Sequence, residues 1–189
     1  MTHPDIRTYY GRIHEAKFLM GAVAGALASE DKIGYVATYP TFGMTAGVNA
    51  FAMGAKMVNP RARVYLEWTA AQGVDIDAAF AREGVRVISN IDMRAPEHSS
   101  PKFGLYRLED GRPHNFAMPF WRWGAFYTKI VGSIFDGTWK DDGAASDARA
   151  INYWWGMSAG VVDVVCSRSL PEDTARLIEL LRAAICHSE

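Results

Sequence analysis

A chain of 189 residues with 49% hydrophobic and 22% charged side chains has the composition of an ordinary globular domain and can bury a sizeable core. Its 20 basic and 21 acidic residues leave a formal charge of -1 and no electrostatic footprint for nucleic acid, and their scatter gives no basic patch for a membrane surface. Two late cysteines, Cys166 and Cys186, make neither a disulfide framework nor a metal set, and no apolar run reaches the roughly 18–20 residues of a membrane span.

The opening MTHPDIRTYY has no basic region followed by an apolar one and no cysteine to take a lipid, so the sequence as written predicts a cytoplasmic chain. Residues 6–28 predict a helix, with Ile13, Ala16, Leu19, Met20, Val23 and Leu27 at helical spacing. Gly21 and Gly25, four apart, give that helix a small face suited to close packing on a sheet. IGYVATY, residues 33–39, is a β-branched strand ended by Pro40. A second helix spans 41–58, with Val48, Phe51, Ala52, Ala55 and Val58 on one face, and RVYLEWT, 63–69, is the second strand. DIDAAFAREG is a short helix with Asp75 as N-cap and Gly84 as stop. Strands at 85–91 and 102–108 follow. This alternation predicts the α/β class, a parallel sheet with helices on both faces.

After EDGRPH the pattern changes. PFWRWGAFYTKIVGSIFDGTWK, 119–140, reads as a helix opened by Pro119 and stopped by Gly137, with Phe126, Ile130, Val131 and Ile134 along it. A polar loop containing Asp141 and Asp142 leads to INYWWGMSAGVVDVVCS, a β-rich stretch with a turn near 158–160. PEDTARLIELLRAAI closes the chain as an amphipathic helix with Pro171 in its first turn and Leu177, Leu180, Leu181 and Ala184 facing inward.

In an open parallel sheet, ligands sit outside the carboxyl ends of the strands. Tyr39 and Phe42 follow the first strand, Trp68 ends the second, and DMRAPE after the third offers Asp92, Arg94 and Glu97. Trp121 and Trp123 stand at the start of the late helix. Aromatic faces with a few hydrogen-bonding groups suit a flat ligand with a polar edge, such as a base or nucleoside. Core packing explains Tyr39, Phe42 and Trp68 about as well, and Asp92 also reads as a turn cap. On a helix, residues two apart cannot share a face, so one of Trp121 and Trp123 is expected in the core and the other towards ligand. The five histidines have no metal-ligand spacing, Ser99 and Ser100 beside His98 lack supporting context, and there is no P-loop, GxSxG or GxGxxG. The expectation is a binding protein with no catalytic residues, metal or cofactor; a small α/β hydrolase or deaminase is the weakest alternative.

YYGRIHEAKFLMGAVAG, KIGYVATYP, GVNAFAMGAKMVNPRARV, EWT, WRWGAFYTKIVGSIFDGTWK and NYWWGMSAGVVDVV occur in that order over most of residues 9–165. In order and spacing the chain resembles the basic membrane protein family, the purine-nucleoside-receptor-like substrate-binding proteins of ABC transporters. The resemblance implies a two-lobed type I periplasmic binding fold closing over a nucleoside, with this chain starting at the crossing into the second lobe and lacking most of the first. Residues 1–112 then form a second-lobe-like ligand-binding domain, 113–150 a helix that belongs to the first lobe in the family, and 151–189 a hinge-like β segment and C-terminal helix. Where the family carries an acidic GYDSD-like stretch, this chain reads FGLYRL, with Tyr106 and Arg107 at the acidic places. The implied partners are a nucleoside-like small molecule and, in a full receptor, an ABC transporter permease; a full member would be an extracytoplasmic lipoprotein. A cytoplasmic sensor or an interaction module derived from the fold is the alternative. With the first-lobe sheet missing, the apolar face of 119–137, with Phe126, Ile130, Val131 and Ile134, is expected either to drive self-association, the preferred branch, or to fold onto the remaining lobe.

Overall fold

The structure, a computed structural model, describes residues 7–92, 100–139 and 153–187. Arg94, Glu97, His98, Ser99, Asp141 and Asp142 lie outside the described residues. In chain order the elements are β1 (Tyr9–Gly11), α1 (Ile13–Leu27), β2 (Lys32–Ala37), α2 (Phe42–Val58), β3 (Arg63–Trp68), α3 (Ile76–Glu83), β4 (Val87–Ser89), β5 (Leu105–Glu109), β6 (Arg112–Trp121), α4 (Trp123–Phe135), β7 (Tyr153–Trp155), β8 (Val162–Cys166) and α5 (Glu172–Cys186).

Six strands form one sheet in the order β3-β2-β4-β5-β6-β8. The first three are parallel, with Tyr35 opposite Leu66 on one side and Ser89 on the other. The fourth expected strand joins antiparallel, Ile88 opposite Tyr106, and β6 and β8 continue the antiparallel half. The α/β class therefore holds with a mixed sheet. β5 and β6 are joined by the hairpin turn Asp110–Gly111, at φ 49° and 75°, a conformation that Asp-Gly adopts at little cost.

Side chains alternate along β2. Ile33, Tyr35 and Ala37 enter the large core beneath α1 and α2, whereas Val36 meets Phe80, Val85, Ile88 and Tyr106 on the α3 side. Helices thus cover both faces. α3 is held as its sequence predicts: the Asp75 carboxylate accepts the Ala78 N–H at 3.0 Å, and Gly84 ends it in the left-handed region at φ 69°. The glycines of α1 pack on α2 rather than on the sheet. A methyl group at Gly25 would stand 2.5 Å from the Ala55 carbonyl oxygen, and one at Gly21 would overlap the Phe51 backbone.

Three local expectations change. Residues 112–121 are strand, and the late helix begins at Trp123 instead of Pro119. Pro119 is tolerated because β5 pairs with β6 only as far as Ala117, which leaves one side of the strand free there. On α5 the inward stripe is Thr174, Ile178, Leu181 and Ile185; Leu180 is 71% exposed and Ala184 is exposed as well. β1 pairs parallel with β7, Tyr9 opposite Tyr153, and this two-stranded ribbon joins the segments at either end of the chain. Cys166 and Cys186 carry free thiols. No helix among the described residues is long and apolar enough to cross a membrane.

Candidate functional site

A cleft of about 420 Å3 opens at the carboxyl ends of β2 and β4. Its floor is Lys17 of α1, Tyr35 and Val36 of β2, and Gly43, Met44 and Gly47 of α2. The loop after β4 contributes Asn90, Ile91 and Asp92. Tyr9 and Tyr10 of β1 and the tryptophans Trp121 and Trp123 close the other side.

Each wall is fixed by identifiable contacts. The Arg12 N–H donates to the Trp155 carbonyl at 2.8 Å, and the Glu15 carboxylate accepts the Met157 N–H at 2.7 Å while pairing with Arg12 at 2.8 Å. Those bonds tie β1 to the segment after β7. Asn90 spends its side chain on the backbone, donating to the Lys102 carbonyl at 3.0 Å and accepting the Ile91 N–H at 2.7 Å, so it shapes the loop that presents Asp92. Arg122 anchors the link between β6 and α4: its N–H reaches the Val161 carbonyl at 2.7 Å and its guanidinium pairs with Asp163 at 2.9 Å. With that link pinned, Trp121 ends a strand and Trp123 starts a helix. Their rings lie parallel, 7° apart in plane with centroids 6.5 Å apart, and both line the cleft. Trp121 packs against the main core and Trp123 is 39% exposed, as the expected division has it, but the two do not share a helix and both rings line the cleft.

The polar end of the cleft centres on Lys17. Its ammonium donates to the Asp92 carboxylate at 2.9 Å and lies 6.0 Å from the centroid of the Tyr35 ring. Burial pushes the Tyr35 phenol up, an effect that the Lys17 charge partly opposes. Burial also raises the Tyr10 phenol, whose hydroxyl is enclosed without a hydrogen-bond partner among the described residues.

Of the six residues selected from sequence, the cleft brings together Asp92, Trp121 and Trp123. Tyr39 is 63% exposed and outside the cleft. Phe42 stands just beyond it, 6.1 Å from the Tyr10 ring and 6.5 Å from Trp154. Trp68 packs against the main core. Sequence reasoning missed Lys17, Tyr9, Tyr10 and Tyr35. A lysine inside an otherwise apolar helical stripe is the signal that points to Lys17. No cluster of metal-ligating side chains occurs among the described residues.

Comparison with known proteins gives this arrangement a context. Residues 3–95 match the model of the Bmp family, described as ABC transporter substrate-binding protein PnrA-like. A purine-binding protein of Brucella abortus is 27% identical over 201 residues, covering 100% of this chain and 55% of its own length. A protein of Haloferax volcanii, named for glucose binding in an ABC transporter, is 28% identical, covering 85% of this chain and 42% of its own length. The chain thus spans about half the length of the curated relatives it matches. Among solved structures, a transcriptional activator of the comK gene from Bacillus halodurans superposes with a TM-score of 0.66 at 13% identity, over 96% of this chain and 64% of the other. An ABC transporter solute-binding protein from Conexibacter woesei gives 0.62 at 14% identity, over 94% and 62%. At those identities the two structures establish the shared fold alone. Over residues 3–95 the chain is thus similar to the Bmp family of PnrA-like ABC transporter substrate-binding proteins, whose members are binding proteins and not enzymes.

Proposed function

We propose that the cleft is one wall of a receptor site for a nucleoside or a related small polar molecule, delivered by the complete protein to an ABC transporter permease. The observation that carries this reading is the parallel Trp121–Trp123 pair standing in the same cleft as the Lys17–Asp92 pair. A base or a sugar ring rests on aromatic faces, and its polar edge is read by charged and amide groups. The purine-binding relative from Brucella supports a nucleoside, and the glucose-named relative from Haloferax makes a sugar the competing ligand. Titration calorimetry with adenosine, guanosine and glucose tests the proposal. Substituting Trp121→Ala should weaken binding of a nucleoside by about 1–3 kcal/mol, the range for base–aromatic stacking. Unchanged affinity would remove the tryptophans from the site, and a preference for glucose would replace the nucleoside by a sugar.

A second proposal concerns association. α4 is docked along one side only: Phe126 is 5% exposed and Ile130 packs on the core, whereas Tyr127, Val131, Ile134 and Phe135 form an exposed stripe. We propose that this stripe pairs copies of the chain when no other lobe covers it.

A further inference from the structure

We infer that Lys17 and Asp92 form a charge-matched donor–acceptor pair that restricts the cleft to uncharged ligands, with Lys17 as the specificity-determining residue. The inference rests on the receptor reading above and narrows it to a ligand class.

Among the described residues lining the cleft, Lys17 is the only cation and Asp92 the only anion. The lysine side chain is 10% exposed and the aspartate 22%, with 2.9 Å between ammonium and carboxylate. Lys17 rises from a stretch of α1 whose neighbours Ala16, Leu19 and Met20 are fully buried in the core. For stability alone the pair is a poor choice. Withdrawing two charges from water costs about as much as their attraction returns, and apolar residues of similar size serve a core as well or better. Both groups, however, line the cleft, where a ligand would meet them.

An ammonium has three donors, and Asp92 occupies one of them. A neutral molecule with an acceptor beside a donor can bridge the pair and leave it intact, satisfying a donor on Lys17 and an oxygen on Asp92. A phosphate or carboxylate attracted to Lys17 would face Asp92 at close range. To bind, it would displace that carboxylate and leave it enclosed without its partner, which is costly. A cationic ligand would strand Lys17 in the same way. The pair therefore offers hydrogen bonds at zero net charge.

Titration calorimetry on the full chain tests this with two matched probe sets, adenosine against adenosine monophosphate and glucose against glucuronate. The wild type should bind the neutral member of a set and discriminate against the anion. Asp92→Asn, which leaves the Lys17 charge unbalanced, should raise the affinity for the anion relative to its neutral partner by about tenfold or more. Lys17→Met should sharpen the discrimination, and the double variant should return the ratio towards that of the wild type. Should Lys17→Met fail to fold, as judged by its thermal transition, the more exposed Asp92→Asn change decides alone. If the neutral probe binds and its ratio to the anion is the same in wild type and Asp92→Asn, the charge-matching role is overturned while the receptor reading survives. If neither neutral probe binds the wild type, the receptor reading falls and this inference with it.

Discussion

Tyr106 is 1% exposed on the α3 side of the sheet. Burial first, and the Asp77 charge second, push its phenol up to about 12 from an ordinary value of 10.0, against a hydrogen bond with Asn90 that lowers it. The folded protein therefore holds this proton more tightly than the unfolded chain. The stability contributed is complete below about pH 10 and is lost as the pH climbs towards 12. Urea midpoints should fall between pH 8 and pH 11, and Tyr106→Phe should show a smaller fall. A residual fall persists in the variant because burial also raises Tyr10 and Tyr35. Identical falls in variant and wild type would show that Tyr106 ionises as freely folded as unfolded. At this scale the sequence was partly legible. Asp92, Trp121 and Trp123 could be chosen because strand ends present ligand residues, a rule that depends only on order along the chain. Lys17 could not, since its role needs α1 laid beneath the loop after β4, a contact across 75 residues. Tyr39 and Phe42 follow a strand end as Asp92 does, yet the turn at Pro40 leaves both in solvent.

Helices α1 and α2 meet backbone to backbone, and that approach exists only because Gly21, Gly25 and Gly54 have no side chains. A methyl group at Gly54 would overlap the Phe18 carbonyl, as one at Gly21 would overlap that of Phe51. Gly21→Ala should therefore lower the unfolding free energy by about 1–3 kcal/mol or more, since backbone cannot step aside as a flexible side chain does. Gly132 in α4 has nothing within 4 Å of the same added atom, and Gly132→Ala should be neutral or stabilising by roughly 0.4–1 kcal/mol. Denaturant unfolding of the two variants side by side checks this, and equal losses would argue against close backbone packing at the α1–α2 contact. Those glycines were legible as a packing face; their partner was not, because small faces fit a sheet and a helix alike. β6 was misread for a different reason. Pro119 opens helices more often than it sits in strands, and that cue outweighed the Asp-Gly hairpin signal at Asp110 and Gly111. The α5 stripe was placed one side too far because leucine was followed in preference to the spacing of Thr174, Ile178, Leu181 and Ile185.

The whole molecule raises the matter of what α4 is built to meet. Phe126 is enclosed by Tyr9, Trp123 and Trp155, with ring centroids 4.8, 5.8 and 5.4 Å away, so one edge of the helix is satisfied within the chain. On the other edge Tyr127, Val131, Ile134 and Phe135 are 58, 47, 55 and 85% exposed. These positions follow one another at helical spacing, and a contiguous apolar stripe of that kind marks an interaction surface more often than a solvated one. Burying each such side chain contributes roughly 1.5–3 kcal/mol, so two helices that cover each other gain enough to offset the entropy of pairing at micromolar concentrations. Sedimentation velocity should accordingly show a concentration-dependent dimer of this chain. The combined change Ile134→Gln and Phe135→Gln should return it to monomer without lowering its thermal midpoint measured at monomeric concentration, because neither side chain contributes to the core. A wild type that sediments as a monomer up to high micromolar concentration would rule out pairing through α4, and a dimer that survives the double change would move the contact to another face.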